Sequence, residues 1–299
     1  MAKNYRAEIL ACLGDPVDAN PTGAVEEAAF ASAGLNWRFL MLRVPEGQLE
    51  AAVAGAKAMG FKGLGVTMPH KQAIIPYLDD LTPAAEIIGA VNAVYVRDGK
   101  WIGDNVDGKG FVGALPESSR ELKDAHVTIL GAGGAARAIA VECALAGAKK
   151  ITIINRTASR GQELAQLIGS KTDAESVFLP WTPKIPIPAD TDLLVNGTSI
   201  GLTPNNGELP DVDYNTITPS MTVCDVVFDP AVPLFLQEAA KHGAKTVSGI
   251  GMLVAQAALA FTGWTGMEAP MDVMDAAMKK ELNSLKPDVL PLLCSTSFS

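Results

Sequence analysis

The run Gly131-Ala-Gly133-Gly134-Ala135-Ala136-Arg137 follows the apolar stretch Val127-Thr-Ile-Leu130 and opens an Ala-rich segment of helical period. Strand, glycine turn, helix is the order that a dinucleotide pyrophosphate needs. Gly131 permits the tight turn, and Gly133 lets the backbone approach the phosphates. Ala136, in the place of a third glycine, is small enough for the helix to pack close to the strand. The free N–H groups of Gly134 and Ala135 at the helix N-terminus would take the negative charge, with the helix dipole adding to the attraction. An ordinary glycine turn in a doubly wound sheet is the plain alternative. After the next apolar run, Lys150–Ile154, the chain reads Asn155-Arg156-Thr157-Ala158-Ser159-Arg160. An NAD site places a carboxylate here for the ribose hydroxyl. Two guanidiniums and no carboxylate suit a 2′-phosphate instead, so NADP is expected over NAD, with Asn155, Arg156, Thr157 and Arg160 at the adenosine end. For the arginines the alternative is a merely solvated loop.

These groups need a frame. Ala7–Leu13 and Trp37–Val44 read as strands, Gly47–Met59 as a helix, and Gly63–Thr67 as a short buried strand ending at Pro69. Such alternation means an α/β sheet of parallel strands. The glycine turn lies in a second block, a βαβ unit of about thirty residues. The Pro-rich segment Leu179–Pro188 is read as an ordered surface loop, because strands resume at Asp192–Asn196 and Thr222–Phe228. Helical stretches follow at Met252–Trp264 and near Met271–Leu285, and the residues through Ser299 are expected to fray. The expected fold class is α/β in two domains. Residues 1–113 with 250–299 would form a parallel or mixed substrate domain, and 120–245 a Rossmann NADP-binding domain. The active site would lie in a cleft between them, at the carboxyl ends of the strands.

Composition removes several function classes. Apolar residues make up 48% of the 299, enough for real cores. The net charge is −9, from 24 basic and 33 acidic side chains, with no basic run, so no nucleic-acid partner is expected. Cys12, Cys143, Cys224 and Cys294 stand singly, without metal-ligand spacing, which points to a reducing compartment and no metal. The N-terminus lacks the apolar run of a signal peptide, and no stretch approaches the ~18 apolar residues of a membrane span. A cytoplasmic protein, monomer or homodimer, with a small-molecule substrate is expected.

Six further segments recur in order: Val66-Thr67-Met68-Pro69-His70-Lys71, Gly89-Ala-Val-Asn92-Ala93-Val94, Gly103-Asp-Asn105-Val106-Asp107-Gly108, the Asn155-Arg156-Thr157 stretch, Asn196-Gly-Thr198-Ser199-Ile-Gly201, and Gly249-Ile-Gly251-Met252-Leu253-Val-Ala-Gln256. With them the chain resembles the shikimate dehydrogenase family over about residues 10–266. The resemblance implies reversible hydride transfer between NADP(H) and a cyclic alcohol or ketone of the shikimate/3-dehydroshikimate type, in aromatic amino acid biosynthesis. It maps the catalytic pair, the Lys of VTxPxK and the Asp of NxDG, onto Lys71 and Asp107. A ketone receiving hydride needs a proton on its oxygen; an ammonium can supply it, and a neutral lysine takes it back in the oxidative direction. The carboxylate would orient Lys71 and favour its charged form, with partial burial opposing. Taken alone, a Lys after Pro-His is surface decoration and an Asp in DNVDG serves a turn. The resemblance further implies that Thr67, Asn92 and Gln256 hold substrate hydroxyls and carboxylate. Gly249 and Met252 would line the nicotinamide, with Thr198 nearby; for Gln256 a hydrated helix residue is the plain reading.

The departures from the family pattern are uneven. Its first loop carries SxSP, whose hydroxyls bind the substrate carboxylate. Here it reads Gly14-Asp15-Pro16-Val17-Asp18-Ala19-Asn20-Pro21, about two residues shorter, with Asp18 and Asn20 nearest the lost serines. With Asp18 in the serine position, two carboxylates ~4 Å apart repel by roughly 4 kcal/mol at an effective dielectric near 20, about a thousandfold in affinity; the alternative is that the shorter loop swings Asp18 outward and leaves Asn20 to act alone. Gly65 stands for the family's Asn, Val106 for the Thr of NTDG, and Phe228 for the Tyr of YxP. Substrate-side polar groups are lost and cofactor-side groups are kept. Drift toward inactivity would erode both. An active enzyme retuned to a less hydroxylated or uncarboxylated substrate is expected, with shikimate a poor one. Quinate or amino-shikimate dehydrogenases, a non-catalytic ligand sensor of the same fold, and a folate-type methylene dehydrogenase are the competing readings.

Overall fold

A computed structural model describes residues 6–18 and 20–284. The fraying tail, Cys294, Ala19 and the extreme N-terminus lie outside the described residues. Within them the chain divides into two compact units, 6–106 with 254–284, and 107–253.

The first unit runs β1 (Glu8–Gly14), α1 (Thr22–Ser32), β2 (Trp37–Arg43), α2 (Leu49–Met59), β3 (Gly63–Val66), α3 (His70–Ala73), β4 (Asp80–Leu81), α4 (Pro83–Ile88), β5 (Ala93–Arg97) and β6 (Lys100–Asp104). Its sheet order is β2-β1-β3-β5-β6-β4. β1 pairs in parallel with β2 and β3, as alternation with helices requires. β5 is antiparallel to both β3 and β6, so the sheet is mixed, one of the two forms expected. The cause is local. Asp98 and Gly99 both hold positive φ, 51° and 78°, the backbone of a two-residue hairpin turn, for which Asp-Gly is the usual pair. Helix α2 buries Leu49, Val53 and Ala56 on one face and stops at left-handed Gly60. Helix α4 starts at Thr82, whose side chain accepts from the Ala85 N–H, with Pro83 in the first turn. Leu13, Leu64, Val66, Ile74 and Val94 belong to the core beneath these elements.

The second unit carries α5 (Val106–Ala114), α6 (Glu117–Arg120), β7 (His126–Leu130), α7 (Gly134–Leu145), β8 (Lys150–Asn155), α8 (Ala158–Lys171), β9 (Glu175–Pro180), β10 (Ile185–Pro186), β11 (Leu193–Asn196), β12 (Val212–Asp213), β13 (Thr222–Asp225), α9 (Leu234–Lys241), β14 (Lys245–Val247) and the start of α10 (Ile250–Thr265). The rest of α10 and α11 (Met271–Ser284) belong to the first unit. Six parallel strands lie in the order β14-β13-β11-β7-β8-β9. That is the Rossmann arrangement: the strand order reverses between β7 and β11, and ligands bind outside the carboxyl ends at that switch. Every residue of β7 is buried, as expected for a strand covered on both faces. The Pro-rich stretch is not simply a loop. Its start completes β9, an edge strand where Pro180 costs no ladder hydrogen bond, and Ile185–Pro186 pairs with β12.

Asp107-Gly108 also proves to be helical rather than a turn, because α5 begins at Val106. A Cβ at Gly108 would stand 2.3 Å from the Ala138 carbonyl oxygen and 2.6 Å from Glu142 Cγ, so α5 meets α7 through bare backbone. Gly108→Ala is expected to cost roughly 1–3 kcal/mol through forced separation of the two helices. The urea midpoint of the variant would fall accordingly; an unchanged midpoint would refute the close crossing.

Candidate functional site

The segment around Lys71 is tied to three strands. The Thr67 N–H donates to the Leu13 carbonyl at the end of β1, at 2.9 Å, and the Lys71 carbonyl accepts from Val91 N–H, at 2.7 Å. His70, buried, sets its Nε2 2.6 Å from the Val44 carbonyl oxygen beyond β2. Lys71 itself is half-buried in the short helix α3. Burial pushes the Cys12 thiol up to about 12, and the Lys71 charge opposes that, so the ammonium lies within electrostatic reach of β1. Thr67 is buried. A Cβ on Gly14 would meet Thr67 Cγ2 at 2.2 Å, so the glycine ending β1 is required for Thr67 to sit where it does.

Asn92 joins the other strands to this segment. Its Oδ1 accepts from the Val106 N–H at 2.8 Å, its backbone N–H donates to the Asp104 carbonyl, and its own carbonyl accepts from Val66 N–H. Asp104 and Asn105, to which sequence reading assigns no role, complete the mount. Buried Asp104 accepts from the Thr82 hydroxyl and from the Asn105 N–H, and the Asn105 side chain donates to the Ala90 carbonyl. The Gly103-Asp-Asn105 run signals this; only the partner Thr82, far along the chain, is invisible locally. Asp107, half-buried, occupies the first turn of α5, where the helix dipole favours a carboxylate. Lys71 and Asp107 fall in different units, as do Gln256 and Met252, both on α10; Gln256 is half-buried and Met252 buried.

The first loop does not offer a free pair of side chains. Asn20 Oδ1 accepts from the Thr22 N–H at 3.0 Å and so serves the head of α1. Asp18 is exposed. Arg43, also exposed, pairs with Asp15 at 2.8 Å, and the Asp18 charge adds to the pull on its guanidinium. At Gly65 a Cβ would stand 3.3 Å from Phe39 Cζ and 3.4 Å from Cys12 Cβ, so an apolar ring adjoins the position of the family's Asn. Phe228 is buried.

On the cofactor side, Gly131 has φ +107°, and a Cβ there would lie 2.9 Å from Thr198 Cγ2. Gly133 is extended and directly precedes α7, at whose head stand Gly134 and Ala135. Ala136 is buried against Gly197, whose Cβ would approach its Cβ to 2.9 Å; anything larger than alanine would push α7 off the sheet. Gly249 packs backbone on backbone, a Cβ there lying 2.4 Å from the Val226 carbonyl oxygen. The Asn155 amide donates to the Thr157 carbonyl, shaping the turn into α8. Arg156 and Arg160 are exposed, and neither is held in an ion pair among the described residues. Free N–H groups, glycine backbone and two unpaired guanidiniums fit a phosphorylated dinucleotide. Among the described residues no cluster of His, Cys, Asp or Glu could hold a metal, and no helix is long and apolar enough to cross a membrane.

Known proteins match this frame along nearly the whole chain. Residues 12–94 match the shikimate dehydrogenase substrate binding domain, 115–179 shikimate / quinate 5-dehydrogenase, and 249–279 the shikimate 5'-dehydrogenase C-terminal domain. A shikimate dehydrogenase (NADP(+)) of Desulforamulus reducens is 39% identical over 93% of this chain and 97% of its own. A ligand-free 5-ketofructose reductase of Gluconobacter sp. strain CHM43 is 42% identical, with a TM-score of 0.89 over 93% of this chain and 99% of that one. A shikimate dehydrogenase solved in complex with NADP+ is 37% identical, with a TM-score of 0.85 over 93% and 96%.

Proposed function

The chain belongs to the shikimate dehydrogenase family and is an NADP-dependent oxidoreductase of CH–OH groups, and on that premise we propose that its substrate is an uncharged polyhydroxy ketone or alcohol, such as a ketosugar, rather than a ring acid. The observation that carries this reading is the first loop. Asn20 spends its carbonyl on the head of α1, and Asp18 presents a carboxylate instead of a hydroxyl. A substrate carboxylate would meet repulsion where the family offers donors. The 42% identity to a 5-ketofructose reductase supports the same direction.

When bound, NADPH supplies the hydride. Lys71 donates the proton to the carbonyl oxygen as that oxygen becomes an alcohol, and in the reverse direction the neutral amine recovers it. Asp107 orients and balances the ammonium. Thr67, Asn92 and Gln256 hold hydroxyls of the substrate, while Gly249, Met252 and Thr198 border the nicotinamide. We assign substrate binding to the first unit, 6–106 with 254–284, and NADP binding to the second, 107–253. We place the protein in the cytoplasm, as a monomer or homodimer, consistent with the free, buried thiols of Cys12, Cys143 and Cys224.

Consumption of NADPH at 340 nm tests the substrate. With 5-ketofructose and 3-dehydroshikimate compared in the same buffer, kcat/KM should favour the neutral ketone by roughly tenfold to a hundredfold, the Coulomb penalty being softened by solvent and by Arg43. Equal or better reduction of 3-dehydroshikimate overturns the proposal.

A further inference from the structure

Asp225 ends β13 at the carboxyl edge of the Rossmann sheet, is 2% exposed, and plays no part in the chemistry above. Its Oδ1 accepts two hydrogen bonds, from the Val227 N–H at 2.9 Å and from Asn196 Nδ2 at 3.0 Å. Its Oδ2 is buried and makes none among the described residues. Burial pushes this carboxyl up to about 8, with the hydrogen bonds from Val227 and Asn196 opposing.

Facing two N–H donors, Oδ1 acts toward its neighbours as an acceptor. The Asn196 amide must therefore turn its NH2 toward Asp225, where it also donates to the Ile200 carbonyl at 3.2 Å. Its Oδ1 is left facing Thr198, accepting from the backbone N–H at 3.1 Å and from the hydroxyl at 2.6 Å. The Thr198 hydroxyl, its proton thus committed, accepts from the Ile200 N–H at 3.1 Å. Were Asn196 reversed, its NH2 would face the two Thr198 donors and both ends of the relay would break.

This loop is interlocked with the glycine turn. A Cβ on Gly131 would lie 2.9 Å from Thr198 Cγ2 and 3.1 Å from the Gly197 carbonyl oxygen, and one on Gly197 would lie 2.9 Å from Ala136 Cβ. No slack remains for the loop to move without moving the turn.

We infer that Asp225 is a positioning residue for the nucleotide: through Asn196 and Thr198 it holds the loop after β11 in the one register that leaves the Gly131–Ala135 turn open to the dinucleotide. The inference rests on the NADP reading above, since it assigns the relay to that site.

The test is NADPH titration of the full-length protein, followed by ligand fluorescence, with kcat and KM measured in parallel. Asp225→Ala should raise the NADPH Kd at least about fivefold while kcat at saturating cofactor stays within about threefold. Asp225→Asn, which can still present an oxygen to both donors, should restore the affinity to near the original value. If Asp225→Ala does not fold, Asn196→Ala cuts the same relay one residue along and carries the same expectation. A lower melting temperature with an unchanged Kd would make Asp225 merely structural and overturn the inference. Failure of the unsubstituted protein to bind NADPH is a different result; it would overturn the cofactor reading itself and the relay's role with it.

Discussion

Lys71→Met should leave a folded protein that binds NADPH with unchanged affinity and turns over at least roughly a thousandfold more slowly, within the range that loss of a positioned proton donor costs. Met keeps the apolar stem and removes the ammonium. The mount of Lys71 is backbone: its carbonyl takes the Val91 N–H, and the flanking Thr67 and His70 bond to β1 and to the residue after β2. Those backbone bonds do not involve the ammonium, and the effect should appear in kcat rather than in cofactor affinity. A decrease of less than about tenfold, with the same bound cofactor, would remove Lys71 from the proton step. The competing view, a silent ligand sensor, makes the opposite forecast: no turnover to lose.

The second large effect concerns the choice of cofactor. Arg156→Ala and Arg160→Ala should each weaken NADPH roughly ten- to a hundredfold and leave NADH within about threefold, because hydrogen bonds to a charged group contribute about 1.5–3 kcal/mol each and only NADPH carries the 2′-phosphate. Both side chains are exposed and unpaired among the described residues, so their removal orphans no internal partner. Exposure also means screening, and the discrimination should shrink with added salt. Competition titrations with the two cofactors at low and high ionic strength read both quantities. Equal weakening of NADH and NADPH would show that the arginines shape the loop rather than recognise a phosphate.

Much of the frame was legible in consecutive residues. The βαβ unit around Gly131, with Val127–Leu130 before it and an Ala-rich helix after, rests on period and glycine placement over some thirty residues. The Asp98-Gly99 turn accounts for the antiparallel β5–β6 pair, which makes this sheet mixed, one of the two forms expected for the substrate domain. The Pro-rich stretch misled for a definable reason. Proline argues against a central strand, and Pro180 and Pro186 sit where the missing N–H is not needed, one on an edge strand and one in a two-residue pairing.

What the amino-acid order determined by itself was chemistry with a short range: the glycine turn, the paired arginines, the strands and helices whose spacing repeats every two or four residues, and hence an α/β chain that handles a phosphorylated dinucleotide. Tertiary structure decided the rest. It alone commits Asn20 to the head of α1, seats Gly108 on the Ala138 carbonyl, hangs Asp104 on Thr82, and runs the Asp225–Asn196–Thr198 relay against Gly131. The physical reason is that propensity and periodicity are properties of neighbours in the chain. Burial, close approach and the direction in which an amide points are set by residues brought together from tens of positions apart, and no local pattern records them.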